Sequence, residues 1–384
     1  MKILKFIFLL IAFIFLSCNG NDEYILPPKY VSKGPFDSGF LVLNQGNMTQ
    51  SATLSFISFD LYSIKNNILP AIISNPNIGL NATDIGFNGD LAYIVSSSDN
   101  KIEIVNRYSM EKIGTISTGL NNPKYIAFLN GKAFVSNWGN PLLATDDYVA
   151  VINLATNQVV NSIAVNEGPG RILVNNNKLY IAQTGGTNVG SSIIVLNEAT
   201  NAVTTIAVGE NPNTMQIDNG FLWVLCEGNK SAATESTGIL YKVNMTTDLF
   251  IDSYQFPITY TIPNDLTSPK IYQHPSNLLM SGTNVVYTKG SGIYKMSLIP
   301  VVTPPNITAA VVYETAPKFN IPFTTISNLI SKNTYLYIAG YNSTTTSGFA
   351  GVYSNGITSE TGAFGTFIKS FSVQYVPTGF YFNQ

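Results

Sequence analysis

Histidine and cysteine are almost missing from this chain, which holds one histidine, His274, and two cysteines, Cys18 and Cys226. One histidine cannot supply the multi-ligand metal sites or the histidine-assisted chemistry found in many enzymes. Cys226 is interpreted as a small, half-buried residue rather than a nucleophile. No catalytic residue, metal or other cofactor is therefore predicted, and an enzyme built on the carboxylates Asp84 and Glu227 has no further support in the sequence.

Charge is also scarce, because Asp, Glu, Lys and Arg make up only 11% of the residues. The net charge is −2 for the whole chain and becomes −4 once the leader, which holds Lys2 and Lys5, is removed. Nucleic acid is held by clustered Lys and Arg, so this composition argues against a nucleic-acid partner.

The first residues have the features of an export signal. Two lysines precede an apolar run that is too short for a transmembrane helix and that ends at Ser17 and Cys18. Leu16-Ser17-Cys18 resembles a bacterial lipobox, with Phe15 where leucine is more usual. We expect lipidation of Cys18 and a membrane attachment through this lipid alone. The alternative is an ordinary signal peptide followed by an incidental cysteine.

The body of the chain repeats one strand-pair pattern. An apolar strand follows each of five prolines, at Pro123, Pro169, Pro212, Pro275 and Pro377. The first four are followed by a short turn and a second apolar strand, whereas the last runs to the chain end without a partner. Residues 39–44 are the complementary orphan, a second strand without a first. We therefore predict an all-β, seven-bladed β-propeller of four-stranded antiparallel blades, closed by the C-terminal strand completing the N-terminal blade.

This prediction divides the chain into three segments: a signal peptide at residues 1–17, a flexible tether at 18–37 and one propeller at 38–384. Two long connections, at residues 254–272 and 300–322, interrupt the regular spacing of the blades. Long loops in a compact β domain are more often functional than accidental.

Two sets of residues are predicted to meet at one end of the propeller. The first aligns just before the apolar part of each innermost strand and comprises Asp84, Tyr125, Arg171, Thr214, Asn277, Asn328 and Gly379. The second lies in Gly- and Asn-rich loops. Together they provide the ligand-binding candidates Gln45, Asp84, Tyr125, Asn137, Trp138, Arg171, Gln183, Glu227, Lys289 and Tyr341. The alternatives are that the loops are plain turns and that the ring merely solvates a wet channel.

Two other motifs are given structural interpretations. The recurring Asn-x-x-Thr runs that begin at Asn153, Asn197 and Asn244 are expected to cap turns at the opposite end of the blades. The pair Asp146 and Asp147 is expected to be solvated.

Several runs resemble a known family, the YncE-like, DUF5074-type propeller surface lipoproteins of Bacteroidota. They are Asn44-Gln-Gly-Asn47, Ala52-Thr-Leu-Ser-Phe56, Leu222-Trp-Val-Leu-Cys226 and Val376-Pro-Thr-Gly-Phe-Tyr-Phe382, and the similarity covers essentially all of the mature chain. The acidic pair Asp22-Glu23 is similar to the surface-export signal of these lipoproteins. A characterised branch resembles a lipoprotein that captures vitamin B12 and passes it to a TonB-dependent outer-membrane transporter. Ile338-Ala-Gly-Tyr-Asn departs from the family's Asp-containing second strand, and no cobalamin contact transfers residue by residue.

The resemblance implies a non-enzymatic, surface-exposed capture lipoprotein in the outer membrane. Its expected ligand is a small, cobalamin-like molecule, and its expected partner is a TonB-dependent transporter. A structural or adhesion propeller that binds protein or glycan is the alternative, and a hydrolase or lyase using the same face is a third. Neighbouring genes for corrinoid salvage would favour capture, and genes for gliding or secretion would favour adhesion.

Overall fold

Seven four-stranded antiparallel sheets are arranged as the blades of a ring, which confirms the predicted β-propeller. The computed structural model describes residues 31–47, 50–69, 78–262, 265–298, 302–303, 306–307, 312–313, 324–354 and 366–383. Residues Gly34–Gln384 form one compact unit. The predicted signal peptide, Cys18 and most of the predicted tether lie outside the described residues, as does most of the connection at 300–322.

The first four blades follow one another along the chain. Blade one contains β1 (Gly39–Asn44), β2 (Thr53–Ser58) and β3 (Ile64–Lys65). Blade two contains β4 (Ala82–Asn88), β5 (Leu91–Ser96), β6 (Lys101–Asn106) and β7 (Lys112–Ile116). Blade three contains β8 (Pro123–Leu129), β9 (Lys132–Asn137), β10 (Tyr148–Asn153) and β11 (Gln158–Ala164). Blade four contains β12 (Pro169–Asn175), β13 (Lys178–Gly185), β14 (Val189–Asn197) and β15 (Val203–Ala207).

The later blades carry two additional hairpins. Blade five contains β16 (Pro212–Asp218), β17 (Phe221–Cys226), β18 (Ile239–Asn244) and β19 (Leu249–Gln255), and the hairpin β20 (Thr259–Tyr260) and β21 (Lys270–Ile271) follows it. Blade six contains β22 (Ser276–Ser281), β23 (Asn284–Lys289) and β24 (Gly292–Ser297). The hairpin β25 (Val302–Thr303) and β26 (Asn306–Ile307) then precedes its outer strand β27 (Val312–Tyr313). Blade seven contains β28 (Thr325–Lys332), β29 (Tyr335–Asn342), β30 (Ser347–Ser354) and β31 (Phe367–Val373), before the last strand, β32 (Pro377–Asn383).

The chain ends close the ring as predicted. β32 pairs antiparallel with β1, with Gly39 opposite Asn383, and so becomes the innermost strand of blade one. The fully buried Asn383 fastens this strand, because its Nδ2 donates to the carbonyl oxygens of Phe36 at 2.7 Å and Arg107 at 2.8 Å. Arg107 returns a 2.8 Å hydrogen bond from Nε to Asn383 Oδ1. We call Asn383, Arg107 and Phe36 the closure lock.

The hydrophobic core lies between neighbouring blades. Second strands such as β5, β9 and β17 are buried along nearly their whole length, since both of their faces are covered. Cys226, at the end of β17, was expected to be half-buried but is only 1% exposed, because Gly209 and Tyr241 pack against it. Among the described residues, no helix is long and apolar enough to cross a membrane.

The two ends of the propeller are built differently. We call the loop face the end that carries the connections into the innermost strands and the loops between second and third strands. The turn face is the opposite end. Residues 34–38 lead into the start of β1 and therefore lie on the turn face, where Phe36 N donates to Tyr108 O at 3.0 Å.

The Asn-x-x-Thr runs cap the turns of this second face, as predicted. Asn197 Oδ1 accepts hydrogen bonds from the backbone N–H groups of Ala199 and Thr200 at 3.0 and 3.1 Å. Asn153 and Asn244 accept equivalent bonds from the residue two positions on. These asparagines therefore shape the turns and are not part of a site.

Candidate functional site

A cavity of about 540 Å³ runs along the axis of the propeller. All seven residues of the predicted ring line it: Asp84, Tyr125, Arg171, Thr214, Asn277, Asn328 and Gly379. We call these seven residues the channel ring. They come from the innermost strands β4, β8, β12, β16, β22, β28 and β32, one from each blade.

A β-bulge lies at or next to each ring residue. The pairing register shifts between Ala82 and Asp84 in β4, and it shifts at the equivalent place in the other six innermost strands. A bulge leaves a residue outside the ladder and turns its side chain, which is why bulges are frequent beside functional sites. The bulge was not predicted from the sequence.

The approach to several of these bulges uses the left-handed backbone conformation. Asn122, Gly168 and Asn211 have φ values of 53°, 71° and 56° just before their prolines. Asn and Gly tolerate this conformation, which explains the recurring Asn-Pro and Gly-Pro pairs. Val376 has a φ of 53° before Pro377, which is unfavourable for a β-branched side chain.

One side of the channel is charged. The Arg171 guanidinium lies over the Tyr125 ring, 5.0 Å from its centroid. Asp84 accepts a 3.0 Å hydrogen bond from Ile126 N on Oδ2 and a 3.1 Å bond from the Tyr381 hydroxyl on Oδ1. Asp84 and Tyr381 thus hold each other in place, and Arg171 stacks on Tyr125 beside them.

Burial controls the ionisation of this cluster. It raises the pKa of Asp84 to about 6, although the Ile126 N–H, the Arg171 charge and the Tyr381 hydroxyl act in the opposite direction. Asp84 keeps some accessible surface because it faces the channel, but protein surrounds the channel, so this exposure does not restore bulk solvation. Burial alone would lower the pKa of Arg171, yet Tyr125 and Asp84 offset this and leave it above its usual value.

The other side of the channel is polar and neutral. Asn277 donates from Nδ2 to Thr288 Oγ1 at 2.8 Å, which leaves its amide oxygen for a further partner. Within the described part of the chain, no hydrogen bond engages the side chains of Thr214 or Asn328. The ring therefore presents charged groups on blades two and four, with Tyr125 between them, and unused amide and hydroxyl groups on blades five to seven.

Trp138 lies on the loop face beside the ring. Its Nε1 donates a 2.9 Å hydrogen bond to the carbonyl oxygen of Pro169, two residues before Arg171. Lys124 Nζ lies 4.6 Å from the centroid of the Trp138 ring and donates to Ser97 Oγ at 2.8 Å. Burial lowers the pKa of Lys124 to about 8. Lys124 was not among the predicted site residues, although it directly precedes the ring residue Tyr125 in the sequence.

Glu227 joins blades five and six instead of lining the cavity. It accepts hydrogen bonds from Asn211 Nδ2 at 3.1 Å and Ser276 Oγ at 2.5 Å, and it pairs with Lys230 at 2.6 Å. His274 contacts the Glu227 carbonyl oxygen through Nδ1 at 2.9 Å. This network holds the loops of two blades together, and both carboxylate oxygens of Glu227 have partners within it.

The other candidates lie on the loop face but outside the lining of the cavity. Asn137 is fully buried and bonds Val135 O and Asn121 N, so its amide serves the backbone. Gln45 donates to Asn81, and Gln183 accepts from Ser192. Lys289 lies 4.6 Å from the Tyr294 ring centroid, and Tyr341 packs edge-on against Tyr375. Of the ten candidates, the structure brings together Asp84, Tyr125, Arg171 and, through Pro169, Trp138.

The pair Asp146 and Asp147 was expected to be solvated, and this expectation is wrong. Asp147 is 3% exposed, and burial, together with the nearby Asp146 and Glu167, raises its pKa to about 6. Both residues accept backbone hydrogen bonds, from Asn140 N and Gly168 N. No three His, Cys, Asp or Glu residues are grouped for a metal ion anywhere in the part of the chain that the structure describes.

These features define a seven-bladed β-propeller with a polar, asymmetric axial site. The chain belongs to the family described as a domain of unknown function, DUF5074, whose model matches residues 38–368. A search of curated protein sequences found no match.

Solved structures share the fold at low identity. A putative 6-phosphogluconolactonase from Bacteroides fragilis has 14% identity and a TM-score of 0.56, covering 90% of this chain and 98% of that one. The computationally designed Ika8 protein has 7% identity and a TM-score of 0.53, covering 89% of each chain. Kuenenia stuttgartiensis hydrazine synthase has 13% identity and a TM-score of 0.52, covering 78% of this chain and 86% of that one. At these identities the likeness establishes the fold alone.

Proposed function

We propose that this protein is a non-enzymatic capture protein, anchored by a lipid on Cys18 to the outer face of the outer membrane. It holds a cobalamin-like nutrient at the loop face and passes it to a TonB-dependent transporter. The observation that carries the proposal is the channel ring, in which seven equivalent positions hold six residue types that differ in charge or shape. Complementarity to an asymmetric ligand requires such unlike groups, whereas blade packing does not.

The size of the cavity suits part of such a ligand. A volume of about 540 Å³ falls within the usual range of small-molecule sites. A molecule as large as cobalamin would seat one group in the channel and cover the surrounding loops. Tyr125 and Trp138 supply flat apolar area with hydrogen-bonding edges there, which is typical of residues that dominate binding energy.

The attachment point of the chain is compatible with this use. Residues 34–38 join the propeller on the turn face, at the closure lock. The chain therefore enters the propeller at the end opposite the proposed binding face. The loop face stays open to solvent, and capture there raises the local concentration of a scarce nutrient beside its transporter.

Calorimetry with cyanocobalamin and cobinamide tests the ligand. We expect saturable binding of cyanocobalamin at one site per chain. Asn153→Ala, on the turn face, is the control that should leave binding unchanged. Absence of heat from both compounds at tens of micromolar would contradict the cobalamin assignment.

Metabolic labelling with a palmitate analogue tests the anchor. Wild-type protein should incorporate the label and fractionate with the outer membrane, whereas Cys18→Ala should remain unlabelled and be released in folded form. Unlabelled wild-type protein in the soluble fraction would overturn the lipoprotein proposal. Protease treatment of intact cells then tests surface exposure, because a protein on the inner side of the membrane would be protected.

A further inference from the structure

The guanidinium of Arg171 is an unused set of hydrogen-bond donors in the channel. Arginine carries five N–H groups and no acceptor, and leaving such groups without partners away from bulk water is unfavourable. The guanidinium lies over the face of the Tyr125 ring, which offers no hydrogen-bonding oxygen. Among the described residues, none accepts a hydrogen bond from this guanidinium.

Arg107 shows how this chain satisfies an arginine that has only a structural role. Its Nε donates to Asn383 Oδ1 and its Nη2 donates to Phe382 O, each at 2.8 Å. The guanidinium also stacks on Phe87, 3.8 Å from the ring centroid. Arg171 shares the stacking but lacks the acceptors, although Asp84 is close enough to affect its pKa.

Asp84 is already committed to other donors. Its two carboxylate oxygens accept from Ile126 N and from the Tyr381 hydroxyl. These bonds hold the carboxylate beside Arg171 without occupying the guanidinium. The guanidinium donors therefore remain available to an oxygen of a molecule that enters the channel.

We propose that the channel binds an anionic group of the ligand, a carboxylate or a phosphate, through the Arg171 guanidinium. Hydroxyl or amide groups of the same ligand face Thr214, Asn277 and Asn328 across the cavity. The inference rests on the proposed capture function for its site, but not on the identity of the nutrient. The phosphodiester of cobalamin is one group of this class, and the carboxylate of an acidic sugar is another.

Asp84 makes this binding depend on pH. The groups that face it are Arg171, Tyr381, Tyr125 and the backbone N–H of Ile126. Arg171 stays protonated and Tyr381 stays neutral between pH 5 and 8, because the pKa of each lies above its usual value, whereas Asp84 titrates in this range. Since its pKa is about 6, it repels an anion at pH 7.5 and is largely neutral at pH 5. Anion binding should tighten as the pH falls through this range.

Ligand-observed NMR with matched small probes tests the inference on the full chain. The probes are glucuronate with neutral glucose as its counterpart, inorganic phosphate, and cyanocobalamin with phosphate-free cobinamide. We expect Arg171→Gln to weaken binding of the anionic probes at least tenfold and to remove their sensitivity to salt. Arg171→Lys should recover part of the affinity, because it keeps the charge but loses the planar fork. Lys369→Gln, which removes one charge from the outer strand of blade seven, is the control.

Separate outcomes decide the inference and the proposed function. If cyanocobalamin fails but glucuronate or phosphate binds in an Arg171-dependent manner, the anion site stands and the cobalamin assignment fails. If cyanocobalamin binds equally well to wild type and Arg171→Gln, capture stands and the anion site is wrong. The inference is overturned if every anionic probe behaves alike with wild type and with Arg171→Gln at probe concentrations up to about 10 mM. Asp84→Asn should abolish the pH dependence for glucuronate, and its persistence would contradict the role of Asp84.

Discussion

The turn face and the loop face show how one repeated blade is used in two ways. On the turn face, Asn153, Asn197 and Asn244 make the same local hydrogen bonds in successive blades. On the loop face, equivalent loops make unlike contacts, such as the network of Glu227 and the stacking of Lys124 on Trp138. Contacts that repeat from blade to blade therefore indicate the end that maintains the fold. Contacts that differ between blades indicate the end that is available for recognition.

The largest expected effect comes from removing the strand that closes the ring on the turn face. Deletion of residues 376–384 takes away β32, exposes two sheet edges and should abolish cooperative unfolding. The milder change Asn383→Ala leaves the carbonyl oxygens of Phe36 and Arg107 without their buried donor and should cost about 3 kcal/mol. Thermal and urea unfolding measure both, and a truncated chain that melts like wild type would contradict this mode of closure.

The corresponding change on the loop face should affect binding more than folding. Trp138→Ala removes the flat surface beside the ring and should weaken ligand binding by about 2 kcal/mol, or roughly 30-fold. Some loss of stability is expected because Nε1 bonds the Pro169 carbonyl oxygen. Trp138→Phe separates the two roles, since it keeps a ring and loses the hydrogen bond. Calorimetry showing intact affinity together with a sharply lower Tm would mean that Trp138 is a core residue.

Asp84, at the loop-face end of the channel, should make the stability of the ligand-free protein depend on pH. Its pKa rises from 3.8 to about 6 on folding, so the folded state binds the extra proton between these values. The stabilisation from this group is complete below about pH 4 and is lost as the pH rises through 6. Asp84→Asn should therefore raise the Tm at pH 7 and leave it nearly unchanged at pH 4. An equal shift at both pH values would exclude a contribution from this titration.

The smallest effect is expected at Val376, where the chain leaves blade seven for β32. A φ of 53° strains a β-branched residue, and Asn occupies the same conformation in other blades, for instance at Asn122 and Asn211. Val376→Asn should therefore stabilise the protein by about 1 kcal/mol. Val376→Ile retains the branch and is the matched control. Chemical denaturation with no gain for Asn over Ile would show that the strain is absent in solution.

The sequence was sufficient to predict the blades and the channel ring, because both depend on local patterns. Alternation and turn residues locate each blade, and prolines precede five of the seven innermost strands. Counting from these prolines identifies Tyr125 and Arg171, and aligning the start of the apolar strand in blade two with theirs identifies Asp84. The loop-face assignments were less reliable, since Asn137 and Glu227 are engaged by atoms of the neighbouring backbone or the next blade. Asn137 bonds the backbone of its own blade, and Glu227 is bonded by Ser276 of the next blade. Neither set of partners is marked by a repeated pattern in the sequence.

The seven bulges have a consequence for how this family can diversify. Because each ring position lies at or next to a bulge and lines the channel, the side chain there contributes little to the ladder that holds the blade. Six ring positions can therefore vary with little cost to the ring closure. The exception is Gly379, where an added Cβ would lie 2.7 Å from the Tyr381 hydroxyl. The propeller thus behaves as a fixed frame around a short, separable specificity code of six residues, and relatives with different codes are expected to fold alike while selecting different ligands.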